Sequence, residues 1–544
     1  MSISLFKVES QKDYERLGKK LDERQRKLLE GAINYHSLVN PGKTLVYRIY
    51  LGTEEEYPVL TDLSSLRGQW AQGAKYFGKI AITSKANTTP TDTLPLGDDD
   101  THVGDKGIRY IRLSPTLEND ADAWKHKEKR FKQRIYDKLE TTSPLLLDGI
   151  REALIQKRIA VLGKPKERYH GPKNIDVKPP NVQHISDQKC LLFGLHWFQT
   201  GGAERWAIET IGIAKKAGYL PIVLTDQASH HPWITRPELD DCILLPLAFP
   251  AEEWDGDDAL IRSLFENFAI KKVMVHHSGW LYGELWWIKK FFPSVTIYDS
   301  THIIEYLGGG YPGSSAVHDD NIDVHHVISP ALQEWMTGPQ KIPTNKIALA
   351  PLVGLTVGKT QDFKPRDPEK PFTVTFIGRL ARQKRPDVFL LAAKKLLDTY
   401  PNMRFILHGD GELAHVTEDR LAQLEIADSV WRRGENESVP DTLAESDLLL
   451  LTSANEGLAL TVIEAISAGV PVISTNVGSQ STLVPPDALL PRSAHLLIHE
   501  ITKMVAPMVE NEKHRETLWK REARLLQNFS TLETANEWWT EELA

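Results

Sequence analysis

From Gln188 onward, short apolar runs alternate with stretches of helical character, and the alternation begins twice. The first set of runs lies at Cys190–Leu195, Pro221–Leu224, Cys242–Leu247, Lys272–Val275, Val295–Tyr298 and Val324–Ile328. The second lies at Phe372–Ile377, Arg404–Leu407, Asp447–Leu451 and Val470–Ser474. Runs that are apolar throughout suit strands buried on both faces, and helices between them are what parallel neighbours need as crossovers. The helix after Lys384 carries Phe389, Ala392, Ala393, Leu396 and Tyr400 as one apolar stripe. A stretch rich in Pro, Gly and Lys, Pro351 to Pro371, separates the two sets. The pattern predicts two doubly wound α/β domains, at 184–350 and 351–516, facing a ligand cleft at the carboxyl ends of their strands. Residues 517–544, with helices over Leu518 to Leu543, are expected to pack back across the hinge.

Residues 1–183 carry no such alternation. Gln11–Leu38 and Ala123–Leu139 have helical character, while Thr44–Leu51 and Gly107–Leu113 alternate like strands around a Thr/Pro/Asp-rich loop at Asn87–Asp105. The polar, proline-rich Lys164–Pro180 reads as a linker, so this part is expected to be a separately folded α+β accessory domain. Trp124 to Lys173 holds 14 Lys+Arg against 6 Asp+Glu in a chain of net charge −8, leaving −16 for the rest. Such an excess suits an anionic membrane surface or polymer, with no specific nucleic acid implied. No run of about 18 apolar residues could span a bilayer, and MSISLFKVES lacks the basic start and apolar core of a signal peptide. Cys190 and Cys242, both in apolar runs, offer neither a disulfide framework nor a cysteine metal site. A cytoplasmic protein, with peripheral attachment at the inner face of the membrane through 124–173, is the expectation.

Three places carry chemistry. Gly201-Gly202 before a helix lets backbone approach a ligand, with Glu204 in the first turn. Arg379, just past a strand, and Lys384, at the start of the next helix, are two cations suited to a diphosphate, the first by paired hydrogen bonds and the second as a point charge. In Glu456–Glu464, reading EGLALTVIE, a Glu-Gly stands at the mouth of a helix whose unpaired N–H groups favour a phosphate, while both carboxylates reach sugar hydroxyls.

The order GGAER, GRLARQK, GDGE (Gly409 to Glu412) and EGLALTVIEA resembles the retaining nucleotide-sugar glycosyltransferases of the GT-B fold, in particular glycosyltransferase family four, from roughly Gln188 to the C-terminus. The resemblance implies two Rossmann-like domains, the first on the acceptor side and the second binding a nucleotide-diphosphate-sugar, with a UDP-sugar expected and no cofactor. It implies hexosyl transfer to an acceptor hydroxyl of a cell-surface polysaccharide, glycolipid or other anionic glycan, lipid or protein. Arg379 and Lys384 would bind the diphosphate, Glu464 the ribose, and Glu456 with the backbone of Gly457, Leu458 and Ala459 the sugar and phosphates. Gly201 and Gly202 would approach the diphosphate from the other domain, and the backbone near Arg433 would seat the base. His302 looks like the family's active-site histidine, with His276 and His277 as alternatives.

Two departures stand out. The family's Asn-Gly after the interdomain strand is Ala350-Pro351-Leu352 here, and its Gly-Gly-acidic loop is Gly478-Ser479-Gln480-Ser481-Thr482. Rival readings are weaker. A glycoside hydrolase needs its carboxylates about 5 Å apart if retaining and about 6.5–9.5 Å if inverting. Eight positions along one helix would separate Glu456 and Glu464 by about 12 Å. Asp98–Asp100 and Asp120–Asp122 have the letters of a metal-binding Asp-x-Asp but sit in polar loops of the N-terminal part. With Arg379 and Lys384 supplying positive charge, no metal is expected. A non-catalytic sugar- or glycan-binding scaffold would be expected to lose those charged residues, which are present.

Overall fold

A computed structural model describes residues 4–53, 56–61, 74–87, 107–115, 144–172, 177, 179–199, 201–248, 258–352, 361–434 and 436–544. The expected helix Ala123–Leu139, both acidic runs, positions 88–105 of the Thr/Pro/Asp-rich loop, and positions 124–143 and 173 of the basic segment lie outside them. So do positions 173–176 and 178 of the Lys164–Pro180 stretch and positions 353–360 of the hinge stretch. Among the described residues no helix is long and apolar enough to cross a membrane.

Among the described residues, seventeen strands form three sheets. The N-terminal sheet contains β1 (Phe6–Val8), β2 (Thr44–Leu51), β3 (Lys75–Ser84) and β4 (Ile108–Leu113) in the order β1-β3-β2-β4, antiparallel except for the parallel β2–β4 pair. The second holds β5 (Ser186–Leu195), β6 (Leu220–Thr225), β7 (Ile243–Pro246), β8 (Phe268–His276), β9 (Thr296–Thr301), β10 (Val324–Val327) and β11 (Ile347–Leu349). Its order is β11-β10-β9-β8-β5-β6-β7, parallel throughout. The third holds β12 (Thr373–Ile377), β13 (Arg404–His408), β14 (Val430–Arg433), β15 (Leu448–Leu451), β16 (Val472–Thr475) and β17 (Leu489–Leu490), ordered β14-β13-β12-β15-β16-β17 and again parallel. In each parallel sheet the chain reverses its direction of winding at one place, between β5 and β8 and between β12 and β15. A crevice opens beyond the carboxyl ends of the strands at such a switch point.

The N-terminal sheet and its helices form a domain whose core is continuous with that of the second sheet. Helix Glu23–Val39 starts with a reciprocal cap, Gln25 N–H donating to Asp22 Oδ1 (2.7 Å) and Asp22 N–H to Gln25 Oε1 (3.1 Å). It buries Leu28, Leu29, Ala32 and Ile33 in the same apolar core as Ile49, Ile111, Phe193 and Trp206, so the core runs from the first sheet into the second. Gly31 lies so close to Pro246 of β7 that a Cβ would collide with its ring. Arg24 Nη1 donates to His230 O (2.7 Å) and Asn34 Nδ2 to Leu244 O (3.3 Å). A polar, proline-rich connection marks where the chain changes direction and says nothing about whether the faces it joins are apolar.

A second helix of the N-terminal part, Pro144–Leu162, bridges both α/β domains. On the donor-side domain, Arg385 Nη1 donates to Asp148 Oδ2 (2.9 Å), and Arg492 grips Glu152 through Nη2 (2.6 Å) and Nε (3.0 Å). At its other end Leu162 O accepts from Trp335 Nε1 (3.1 Å) and Gln340 Nε2 (3.3 Å) of the acceptor-side domain. The C-terminus makes a second crossing. Helix Glu512–Phe529 stays on the donor-side domain, where Trp519 Nε1 donates to Ile466 O (2.8 Å). Helix Ala535–Leu543 lies on the other, with Trp539 Nε1 donating to Thr210 O (3.1 Å) and Trp538 stacked on His326 at 4.6 Å. Ala535 N–H donates to Pro351 O (2.9 Å), so this last helix is fastened to the hinge itself.

Arg385 is 2% exposed and Asp148 7%. Removing one member of such a pair leaves a buried charge without its partner, at a cost of about 3–5 kcal/mol. Asp148→Ala should lose about that much in chemical denaturation, and the double variant Asp148→Ala with Arg385→Met should recover part of it. A single variant within about 0.5 kcal/mol of wild type would show that the bridge does not hold the domains.

Candidate functional site

The carboxyl edge of the donor-side sheet gathers most of the predicted residues. Beyond β12 the chain turns through Gly378, Arg379 and Leu380, and Gly409 and Gly411 after β13 fold against this turn. Gly409 has φ +133°, and a Cβ on it would collide with Gly378 O, so glycine is required there on both counts. Arg379 is exposed, and its guanidinium has no partner among the described residues. At the end of β14, Arg433 offers its carbonyl to Gly409 N–H (2.9 Å), while its side chain is held by Thr442 Oγ1 (2.8 Å) and Glu445 Oε1 (2.5 Å). Only the backbone of Arg433 faces the GDGE loop.

Across the switch point, Lys384 and Glu456 meet. Lys384 Nζ lies 2.5 Å from Glu456 Oε1, which also accepts from Ser453 Oγ (2.6 Å). Arg385, in a left-handed turn with φ +52°, organises the same loop by donating to Thr452 O (2.9 Å) and Ser453 O (3.1 Å). The helix begins only at Leu460, after Ala459, so Glu456 and Gly457 lie in the loop before it and Glu464 within it. The expectation of a Glu-Gly at the helix mouth is corrected to that extent, and the along-helix separation does not apply. Leu458 and Ala459 are both 6% exposed and lock this loop into the donor-side core. Glu464 is half-buried; burial raises its carboxyl above the ordinary range, opposed by Arg205 of the other domain. The loop at Gly478 backs the whole arrangement: Ser479 N–H donates to Gly457 O (2.9 Å), and Gly478, at φ +55°, leaves no room for a Cβ beside Glu456 O.

The acceptor-side domain meets this loop directly. A Cβ on Gly457 would collide with the carbonyl of His302, Asn455 Nδ2 donates to Ile304 O (2.9 Å), and Tyr306 OH donates to Ala454 O (3.2 Å). The His302 ring is held by Ser300 Oγ (3.3 Å) and lies edge-on to His277 at 5.0 Å. Burial keeps it well below its ordinary pKa, with His326, His276 and His196 pushing the same way, so it is neutral near pH 7. Of the three candidate histidines, His302 shares a cavity with Glu456 and Gly457, whereas His276 bonds Thr210 Oγ1 (2.9 Å) and His277 stacks on Tyr311 at 4.5 Å. Gly201 caps helix Gly202–Lys216, and Gly202 faces Leu460 across the domains, 3.6 Å from where its Cβ would be. Burial would raise the Glu204 carboxyl, but His196 Nε2 (2.9 Å) and Trp197 Nε1 (2.8 Å) outweigh it and bring it down to about 2. Arg385, Ser453, Asn455 and Tyr306 escaped the motif reading, because each acts through a partner on a distant part of the chain.

Residues 358–522 match the family model of glycosyl transferases group 1. An uncharacterized glycosyltransferase of Methanocaldococcus jannaschii is 32% identical over 26% of this chain and 37% of its own length. The lipopolysaccharide core biosynthesis mannosyltransferase LpsB of Rhizobium meliloti is 35% identical over 22% of this chain and 35% of its own. The UDP-Gal:alpha-D-GlcNAc-diphosphoundecaprenol alpha-1,3-galactosyltransferase of Escherichia coli is 33% identical over 21% and 30%. The chain thus spans about a third of the length of these relatives. The match falls on the domain that holds Arg379, Lys384, Glu456 and Glu464. Residues 358–522 therefore carry the group 1 glycosyl transferase pattern, and the chain that contains them has the GT-B fold and resembles glycosyltransferase family four.

Proposed function

We propose that the protein is a retaining glycosyltransferase that moves a hexosyl group from a UDP-sugar to an acceptor hydroxyl, without a metal ion. The observation that carries this reading is the meeting of Lys384 and Glu456 across the switch point, beside Gly457, which abuts the carbonyl of His302. Before donor binds, the two charges satisfy each other. On donor entry Lys384 exchanges the carboxylate for a phosphate oxygen, and Arg379, which has no partner among the described residues, takes the diphosphate by paired hydrogen bonds. Glu456 is then free to accept from sugar hydroxyls, and Glu464 from the ribose.

Catalysis in this scheme is positioning plus stabilisation of the departing diphosphate. The acceptor attacks the face from which the phosphate leaves, and the phosphate itself takes the proton. A neutral His302 offers a hydrogen bond to the sugar without adding a charge that would compete with the cations. The UDP-sugar donor is supported by the galactosyltransferase relative, which uses UDP-Gal, and a glycolipid or cell-surface polysaccharide acceptor by that relative, which acts on a diphosphoundecaprenol-linked sugar, and by the lipopolysaccharide core mannosyltransferase. Cys190 and Cys242 are both free thiols, which is in keeping with a reducing cytoplasm as the setting. Exposed Lys157, Arg158 and Lys164 support peripheral contact of the basic segment with an anionic membrane.

Release of UDP from a panel of UDP-sugars tests the reading. Arg379→Ala and Lys384→Ala should each lower kcat/KM by two to three decades, about 3–4 kcal/mol, mainly through kcat, because the charge they face grows in the transition state. Glu456→Gln should lower kcat, whereas Glu464→Gln should mainly raise KM for donor. Wild-type kcat/KM in both cation variants would remove the donor-site assignment.

Turnover should also survive EDTA. Activity abolished by chelation and restored by Mg²⁺ or Mn²⁺ would overturn the metal-free scheme.

A further inference from the structure

The seam between the domains opens into a cavity of about 360 Å³, within the range of small-molecule sites. Its floor is polar: His302, Asn455, Glu456 and Ser479. Its walls are hydrocarbon and aromatic, with Ile304, Tyr306, Leu332 and Trp335 from the acceptor-side domain and Ile159 and Leu162 from the bridging helix Pro144–Leu162. The third wall thus comes from outside the two facing domains.

The polar atoms of Trp335 and Arg492 are already engaged, and Ser329 Oγ, also in the lining, is buried without a partner among the described residues. The indole N–H of Trp335 is bonded to Leu162 O, so the side chain has only its ring to offer. Among the described residues the one Lys or Arg in the lining, Arg492, is held in a fork by Glu152 and lies 5.0 Å from the Tyr306 ring. An anionic group would have to break that fork. A fully hydroxylated glycan would leave hydroxyls against hydrocarbon without partners, which burial penalises. At the rim Ile159 is 38% exposed, and elsewhere on the same helix Leu154 is 49% and Val161 59% exposed.

We propose that this cavity is the acceptor subsite, and that it takes an amphiphile whose hydroxyl head faces the donor sugar held at Glu456 and His302 and whose alkyl or aromatic aglycone lies against Ile159, Leu162 and Trp335. The inference rests on the transferase reading above and adds the acceptor class. The N-terminal part contributes the wall that selects this class.

The test uses the full chain and two probes, octyl β-D-glucopyranoside below its micellar concentration and methyl β-D-glucopyranoside, titrated by ligand-observed NMR. The octyl compound should bind at least about tenfold more tightly, since even a few buried methylenes suffice for that factor. Ile159→Asp, at a residue 38% exposed, should abolish the difference once circular dichroism shows the variant folded. Leu146→Asp, equally accessible on the same helix but outside the cavity, should leave it intact. Equal binding of the two probes, an octyl preference that survives Ile159→Asp, or one lost equally in Leu146→Asp would overturn the proposal. A parallel UDP titration separates the two failures. UDP binding without an octyl preference sinks the acceptor class alone, and an octyl preference without UDP binding sinks the assignment of the cavity to a transferase acceptor.

Discussion

Nothing larger than glycine fits at position 457, because a side chain there would run into the carbonyl of His302. That single constraint lets the two α/β domains close to backbone contact, and the rest of the seam follows from it. Asn455 and Tyr306 exchange hydrogen bonds with the opposite backbone on either side, and Gly478 gives up its own side-chain space so that the loop has room behind. Glu456 is thereby held under His302, with Lys384 on its other flank. The cleft is narrow at this point and widens toward the bridging helix.

Two elements remote in sequence keep the seam in register. The helix Pro144–Leu162 is anchored by ion pairs on one domain and by carbonyl contacts on the other, and the final helix Ala535–Leu543 ties the acceptor-side domain to Pro351. Arg385 links the first of these to the chemistry. The guanidinium that meets Asp148 also holds the carbonyls of Thr452 and Ser453, and Ser453 in turn bonds Glu456. A disturbance of the N-terminal part therefore reaches the donor loop through three consecutive polar contacts.

The two parallel sheets were legible because their central strands are apolar on both faces, as at Leu191–Leu195 and Leu448–Leu451. The edge strands β11, β14 and β17 were not, being two to four residues long and partly exposed. Nor was β3, whose Lys75–Ser84 run is half-exposed and carries a glycine. At the site, Arg379, Lys384, Glu456 and Glu464 could be chosen from local motifs, since the two cations follow a strand within one short stretch and the two glutamates belong to another. That Lys384 and Glu456 pair across 72 positions, and that the helix starts after Ala459 rather than at the Glu-Gly, depend on how the loops pack. The bridging helix has apolar residues on every side, so its sequence does not say which domain it faces. Its polar anchors, Asp148 and Glu152, gain meaning only beside Arg385 and Arg492.

Backbone hydrogen exchange of the full chain with and without UDP addresses the seam at its centre. If nucleotide is held at the carboxyl edge of the donor-side sheet with both domains engaged, exchange should slow at Gly378–Lys384 and Glu456–Glu464 and, across the cleft, at Gly201–Glu204. Unchanged exchange at all three segments at saturating UDP, or slowing confined to residues 4–53, would contradict a donor site built around Lys384, Glu456 and the His302 carbonyl.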